Sequence, residues 1–145
     1  MTLLIVGEGA ARSTLEAQIA RRGITDRVRL LGAVPHAEMP KLLATADVTA
    51  LASSSEGLAN AWVESLACGT PIVITDAGGA HEVVKSADAG RVTIRDGLAF
   101  AAAIDTLLAD PPAPEATRKA TAPFTWEANT AALYDHLATL AAERH

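Results

Sequence analysis

Residues 53–84 read SSSEGLANAWVESLACGTPIVITDAGGAHEVV. The stretch 58–69 has apolar residues at helical spacing and stops at Gly69, a helix with its terminator. "PIVIT" (71–75) is a short continuous apolar run, the pattern of a parallel strand buried on both faces. Gly78-Gly79 then turns the chain into 79–87, read as a further helix. A strand set between two helices is the repeating unit of a parallel α/β sheet.

The same grammar extends in both directions. Toward the N-terminus, "LLIVG" reads as a strand buried on both faces. Residues 10–23 read as a helix with Leu15 and Ile19 at i, i+4, and 27–32 as a second strand. Residues 36–46 form a helix whose Pro40 is tolerable in its first turn, and 47–53 a third strand. Toward the C-terminus, 90–94 is a fifth strand and 96–108 a helix. The Pro- and Ala-rich 109–123 is a turn plus a short surface helix. The segment 124–145 is an amphipathic C-terminal helix, with Thr125 as its cap and a stripe of Leu133, Leu137 and Leu140. Regular alternation of this kind specifies an α/β fold: a doubly wound, Rossmann-like parallel sheet of about five strands with helices on both faces. At 145 residues the chain reads as a single domain, 1–145.

Composition removes several function classes. The net charge is −5 with acids and bases interspersed, so there is no cationic footprint for nucleic acid. Two Trp, two Phe and one Tyr provide no stacking platform for single strands. One cysteine, Cys68, excludes an internal disulfide framework and reads as a small buried helix residue suited to a reducing compartment. No apolar run approaches the ~18 residues of a membrane span, and no leader is visible, so a cytoplasmic location is expected.

In open parallel sheets ligands bind beyond the carboxyl ends of the strands. The loops at issue are therefore 7–10, 32–36, 52–58 and 75–80. Gly57 and Gly78-Gly79 each precede a helix start, where free N–H groups and the helix dipole suit phosphate. Glu56 and Glu64, eight positions apart, are poor phosphate ligands but good acceptors for sugar or ribose hydroxyls. Phosphate at the helix starts and hydroxyls at the acids describe a nucleotide sugar. Taken singly, each feature has a plainer reading: a glutamate near a helix start is often a dipole partner, and a Gly-Gly pair is often only a turn. Gly7-Glu8-Gly9 begins a dinucleotide fingerprint, but Arg12 stands where its third glycine belongs, which argues against NAD. His36 and His81 read as surface histidines.

The motif "EGLANAWVESLACGTPIVITDAGGAHEVV" resembles the donor-binding motif of the family-4 retaining glycosyltransferases, which have the two-Rossmann-domain GT-B fold. Glu56, Gly57, Glu64, Ala67, Gly69, Pro71, Gly78, Gly79 and Glu82 carry the likeness. "LLIVGEG", "RVRLLGAVPHAEMPKLLATADV" and "FTWEAN" resemble further family segments in family order. The resemblance implies that Glu56 holds the donor sugar near the reacting carbon and that Glu64 binds the ribose hydroxyls. It implies that backbone amides of Gly57, Leu58 and Ala59 contact the diphosphate. Gly32 and Val34 would lie near the nucleobase, with Gly78 and Gly79 shaping the phosphate side. The implied reaction moves a hexose from a nucleoside diphosphate, uridine being the favoured base, to an acceptor hydroxyl with retention. The implied site uses no cofactor and no metal. A sugar-nucleotide epimerase of the same fold and a non-catalytic binding module are the rival readings.

The same resemblance implies an acceptor-binding domain, and a first strand and helix bearing an Arg and a Lys, that this sequence does not contain; Arg12 and Lys41 are not at the matching positions. The lone chain is accordingly expected to transfer no sugar. Without that strand the sheet is expected to close, Leu3–Val6 pairing directly with Val48–Leu51 in the flavodoxin-like order 2-1-3-4-5. The other expected repair is association of chains as a homo-oligomer.

Overall fold

The computed structural model describes residues 1–143; the last two residues of the helix expected to reach 145 lie outside the described residues. The chain divides into two compact units, Met1–Met39 and Pro40–His145.

The first unit holds β1 (Leu3–Val6), α1 (Arg12–Arg21), β2 (Val28–Gly32) and a single 3₁₀ turn (His36–Glu38). β1 and β2 run parallel with Leu3 opposite Val28, Leu4 opposite Arg29 and Ile5 opposite Leu30; an irregularity after Ile5 then sets Val6 opposite Gly32. Ile5, Leu15, Ile19, Val28 and Leu30 are half-buried and form the apolar side of this small unit. Arg12, the first residue of α1, lies between two carboxylates, 2.9 Å from Glu8 in the preceding loop and 3.1 Å from Glu16 on the helix.

The second unit contains nearly all of α2 (Met39–Ala44), then β3 (Thr49–Leu51), α3 (Asn60–Ala67), β4 (Ile72–Thr75) and α4 (Ala80–Val83). β5 (Gly90–Thr93), α5 (Gly97–Ala109), α6 (Pro114–Lys119) and α7 (Trp126–Ala142) complete it. β3, β4 and β5 form a parallel sheet in that order. β4 is buried along its whole length, as a continuous apolar run requires. Trp62 and Leu66 of α3, Ile72 and Ile74 of β4, Ala80 and Val83 of α4, and Ala89 make the core. The buried hydroxyls beside it are paired, whereas the Trp62 indole N–H has no partner among the described residues. The Ser65 hydroxyl lies 2.8 Å from Thr49 Oγ1, and Thr70 donates to the Leu43 carbonyl at 2.6 Å.

The helix ends follow local rules. After α3, the Gly69 N–H bonds the Leu66 carbonyl and the Thr70 N–H bonds the Ser65 carbonyl, with Gly69 at φ +87°. This double closure needs a left-handed residue, hence glycine; the same pair of bonds ends α1 at Gly23. α6 seats against this turn, the Arg118 guanidinium donating to the Cys68 carbonyl at 3.2 Å. Asp96 caps α5 by accepting from the N–H groups of Leu98 and Ala99, both at 3.0 Å. Asp96→Ala should cost about 1 kcal/mol, measured as a lower urea midpoint with an unchanged slope.

The α/β class, with parallel strands and helices packed around them, agrees with the sequence reading. Five expectations need correction. The strands form two sheets, β1-β2 and β3-β4-β5, so the ladder of Leu3–Val6 with Val48–Leu51 and the order 2-1-3-4-5 do not form. The expectation of closure presumes buried, unpaired backbone groups whose cost direct pairing would remove. That premise fails because Leu3, Leu4 and Val6 are 47%, 41% and 38% exposed and Ala50 is exposed, so water can serve these strands. For the same reason β1 is not the doubly buried strand its composition suggests. The segment 79–87 yields only the four helical residues Ala80–Val83, and 36–46 is split into a 3₁₀ turn and α2. Thr125 does cap α7, accepting from the Ala128 N–H at 3.1 Å. The leucine stripe behind it is not buried as its spacing suggests: Leu133, Leu137 and Leu140 are 55%, 55% and 44% exposed.

Candidate functional site

The loops that follow β3 and β4 meet at the carboxyl edge of the second unit's sheet. The loop 52–59 is anchored at its root, where the Thr75 hydroxyl, at the end of β4, donates to the Ser53 carbonyl. At its far end the Gly79 N–H donates to the Gly57 carbonyl at 2.8 Å. The approach is closest at Gly78. This residue has φ +52°, and a Cβ there would strike the Glu56 carbonyl and stand 2.5 Å from the Gly57 oxygen. Only glycine lets the two loops touch in this way. Gly79 is less constrained: its nearest neighbour would be the Leu58 side chain at 3.2 Å, and its φ is −77°.

Glu56 is half-buried in this loop and Glu64 is half-buried in the middle of α3. Neither side chain has a hydrogen-bond or ion-pair partner among the described residues. Two partly desolvated carboxylates with free lone pairs are suited to accept from hydroxyl donors. α3 starts at Asn60 with no side-chain cap; the Trp62 N–H bonds the Ala59 carbonyl at 3.0 Å, and the N–H groups of Asn60 and Ala61 stay open at the same edge. Gly57 is exposed, with open space where a Cβ would be, and Leu58 is 42% exposed. α4, by contrast, has only four residues, so the second helix dipole expected beside the Gly-Gly turn is small.

The structure thus brings together Glu56, Gly57, Leu58, Ala59, Gly78 and Gly79, with Glu64 on the helix that follows. Gly32 and Val34 belong to the first unit. Gly32 ends β2, is buried at φ +72°, and has the Glu8 carboxylate over it, 2.5 Å from where a Cβ would stand; Val34 is half-buried in the next loop. Two features were not read from the sequence. His81 Nε2 lies 3.1 Å from Asp76 Oδ1, bridging the turn that contains Gly78 and Gly79. The Arg95 Nε donates to the Ala52 carbonyl at 2.9 Å, tying the end of β5 to the root of the Glu56 loop. The signal for Arg95 was its position, directly after the fifth strand. Among the described residues no group of His, Cys, Asp or Glu could hold a metal ion, and no helix is long and apolar enough to cross a membrane.

A parallel sheet with glycine-stitched loops and free carboxylates at its carboxyl edge defines a Rossmann-like domain, and its structural neighbours are of the GT-B type. Residues 1–123 match the model of the glycosyl transferases group 1 family, and the chain belongs to that family. It is 33% identical to a glycogen synthase of Mycobacterium tuberculosis over 150 aligned positions, covering 99% of this chain and 36% of that protein. A 2-deoxystreptamine glucosyltransferase of Streptomyces kanamyceticus is 36% identical over 92 residues, 63% of this chain and 22% of that protein. Among solved structures, Anabaena HepE in complex with UDP superposes with a TM-score of 0.79 at 28% identity, covering 96% of this chain and 41% of that one. The chain therefore spans between about a fifth and two-fifths of the length of these relatives.

Proposed function

We propose that this chain is the donor-binding part of a retaining glycosyltransferase of family-4 type, and that its ligand is a UDP-sugar. Glu64 accepts from the ribose hydroxyls and Glu56 from hydroxyls of the sugar, near the reacting carbon. The amides of Gly57, Leu58 and Ala59, with the open N-terminus of α3, receive the diphosphate and stabilise its charge as it leaves. Gly78 and Gly79 hold the two loops at the spacing this requires. In the full enzyme the sugar passes to an acceptor hydroxyl that another part of the protein presents.

The observation that carries this reading is the pair of half-buried carboxylates left without protein partners beside the Gly57–Gly78 contact. The similar Anabaena protein has also been solved with UDP-glucose, at 31% identity and a TM-score of 0.69 over 83% of this chain and 35% of that one. NMR titration of the chain with UDP tests the proposal. Binding is expected in the high-micromolar to millimolar range. Glu64→Ala should weaken it by about 1–3 kcal/mol, roughly 5- to 150-fold in Kd. Equal affinity of the two proteins would remove Glu64 from the site.

A further inference from the structure

We infer that Arg95 is an anion-binding residue of this site, its guanidinium taking a phosphate oxygen of the diphosphate. The assignment rests on the donor-site reading above and adds to it the cation that reading lacks.

The amides and carboxylates of the site supply partial positive charge and hydroxyl acceptors, but no full positive charge for a ligand carrying several negative ones. Arg and Lys side chains are the natural source. In the second unit most described ones lie elsewhere. Lys41 belongs to α2, Lys85 follows α4, and Arg118 and Lys119 belong to α6. Arg91 is near the start of β5, where it donates to the Ala87 and Gly90 carbonyls. Arg95 alone among them lies just past the carboxyl end of a strand, two residues beyond Thr93 of β5, at the edge where the Glu56 and Gly78 loops meet.

Its attachment is one-sided. Nε is held by the Ala52 carbonyl, four residues before Glu56, through a bond that spans 43 residues of sequence. The two terminal NH2 groups make no hydrogen bond or ion pair among the described residues, and the side chain is exposed. The root of the same loop is fixed independently by Thr75 on Ser53. A guanidinium anchored by one nitrogen, with its planar fork free, has already lost part of its rotamer freedom. It therefore binds a phosphate at lower entropic cost than a free side chain does.

The experiment compares the chain with Arg95→Gln and Arg95→Lys, each checked for an intact amide spectrum, in NMR titrations with UDP, uridine and inorganic pyrophosphate at low and high salt. Arg95→Gln should weaken UDP about 10- to 100-fold and pyrophosphate comparably. It should leave uridine unchanged and flatten the salt dependence of UDP binding. Arg95→Lys, which keeps the charge, should recover part of the loss. If Arg95→Gln weakens UDP and uridine alike, Arg95 is only a tie to the loop and the inference falls. If UDP binding is unchanged in Arg95→Gln, the inference falls while the donor site stands. If the unmodified chain binds neither UDP nor pyrophosphate, both are overturned.

Discussion

Gly78→Ala is expected to lower stability by about 2–4 kcal/mol and to bring UDP binding below detection. The left-handed backbone at φ +52° costs a residue with a Cβ roughly 1–2 kcal/mol by itself. The remainder is steric. The added methyl would meet the backbone of Glu56 and Gly57, which cannot swing aside as a flexible side chain can. Relief requires the two loops to part, which breaks the 2.8 Å bond from the Gly79 N–H to the Gly57 carbonyl. Glu56 and the amides of 57–59 would then move away from the Gly78-Gly79 turn. Two neighbours serve as controls. Gly57→Ala meets open space, and at Gly79 an added Cβ would stand 3.2 Å from the Leu58 side chain and 3.3 Å from the Gly57 oxygen, far looser than at Gly78, so each should stay within about 1 kcal/mol of the parent. Urea unfolding of the three variants checks the order; a Gly78→Ala protein as stable as Gly57→Ala would refute the loop contact.

Trp62→Ala should destabilise the chain by about 3–5 kcal/mol, the range for deleting a fully buried aromatic side chain. Trp62 is the largest side chain in the core and lies in α3, the helix that carries Glu64 and whose N-terminus opens on the site. The loss would therefore reach ligand binding as well as stability. Trp62→Phe isolates a second effect. The buried indole N–H has no hydrogen-bond partner, a penalty of about 1–3 kcal/mol that phenylalanine removes. That gain offsets much of the volume lost, so Trp62→Phe should cost less than about 2 kcal/mol. Equal losses for the two substitutions, measured by urea denaturation, would show that packing volume at Trp62 does not govern this core.

Periodicity and punctuation act over a few residues, and what depends on them was legible in the sequence. The apolar run at 71–75 became the buried β4, Gly23 and Gly69 closed their helices, and Thr125 capped α7. The motif carried by Glu56, Gly57, Glu64, Ala67, Gly69, Pro71, Gly78, Gly79 and Glu82 resembles a glycosyltransferase motif, a local pattern too, and the match over residues 1–123 shows a glycosyltransferase family. Strand pairing was not legible, since it depends on which edges find partners across long separations. β1 and β3 share an apolar character with β4, yet β1 is largely exposed, β3 is half-buried at Thr49 and Leu51, and the two stand in different ladders. Nor does the sequence distinguish the two glycines of a Gly-Gly pair. Only the approach of the Glu56 backbone makes Gly78 strict and leaves Gly79 tolerant. Arg95 is the same lesson at longer range. As a residue it is one surface arginine among several, and only the folded sheet, by laying the end of β5 within reach of the end of β3, puts its guanidinium on the Ala52 carbonyl beside the site.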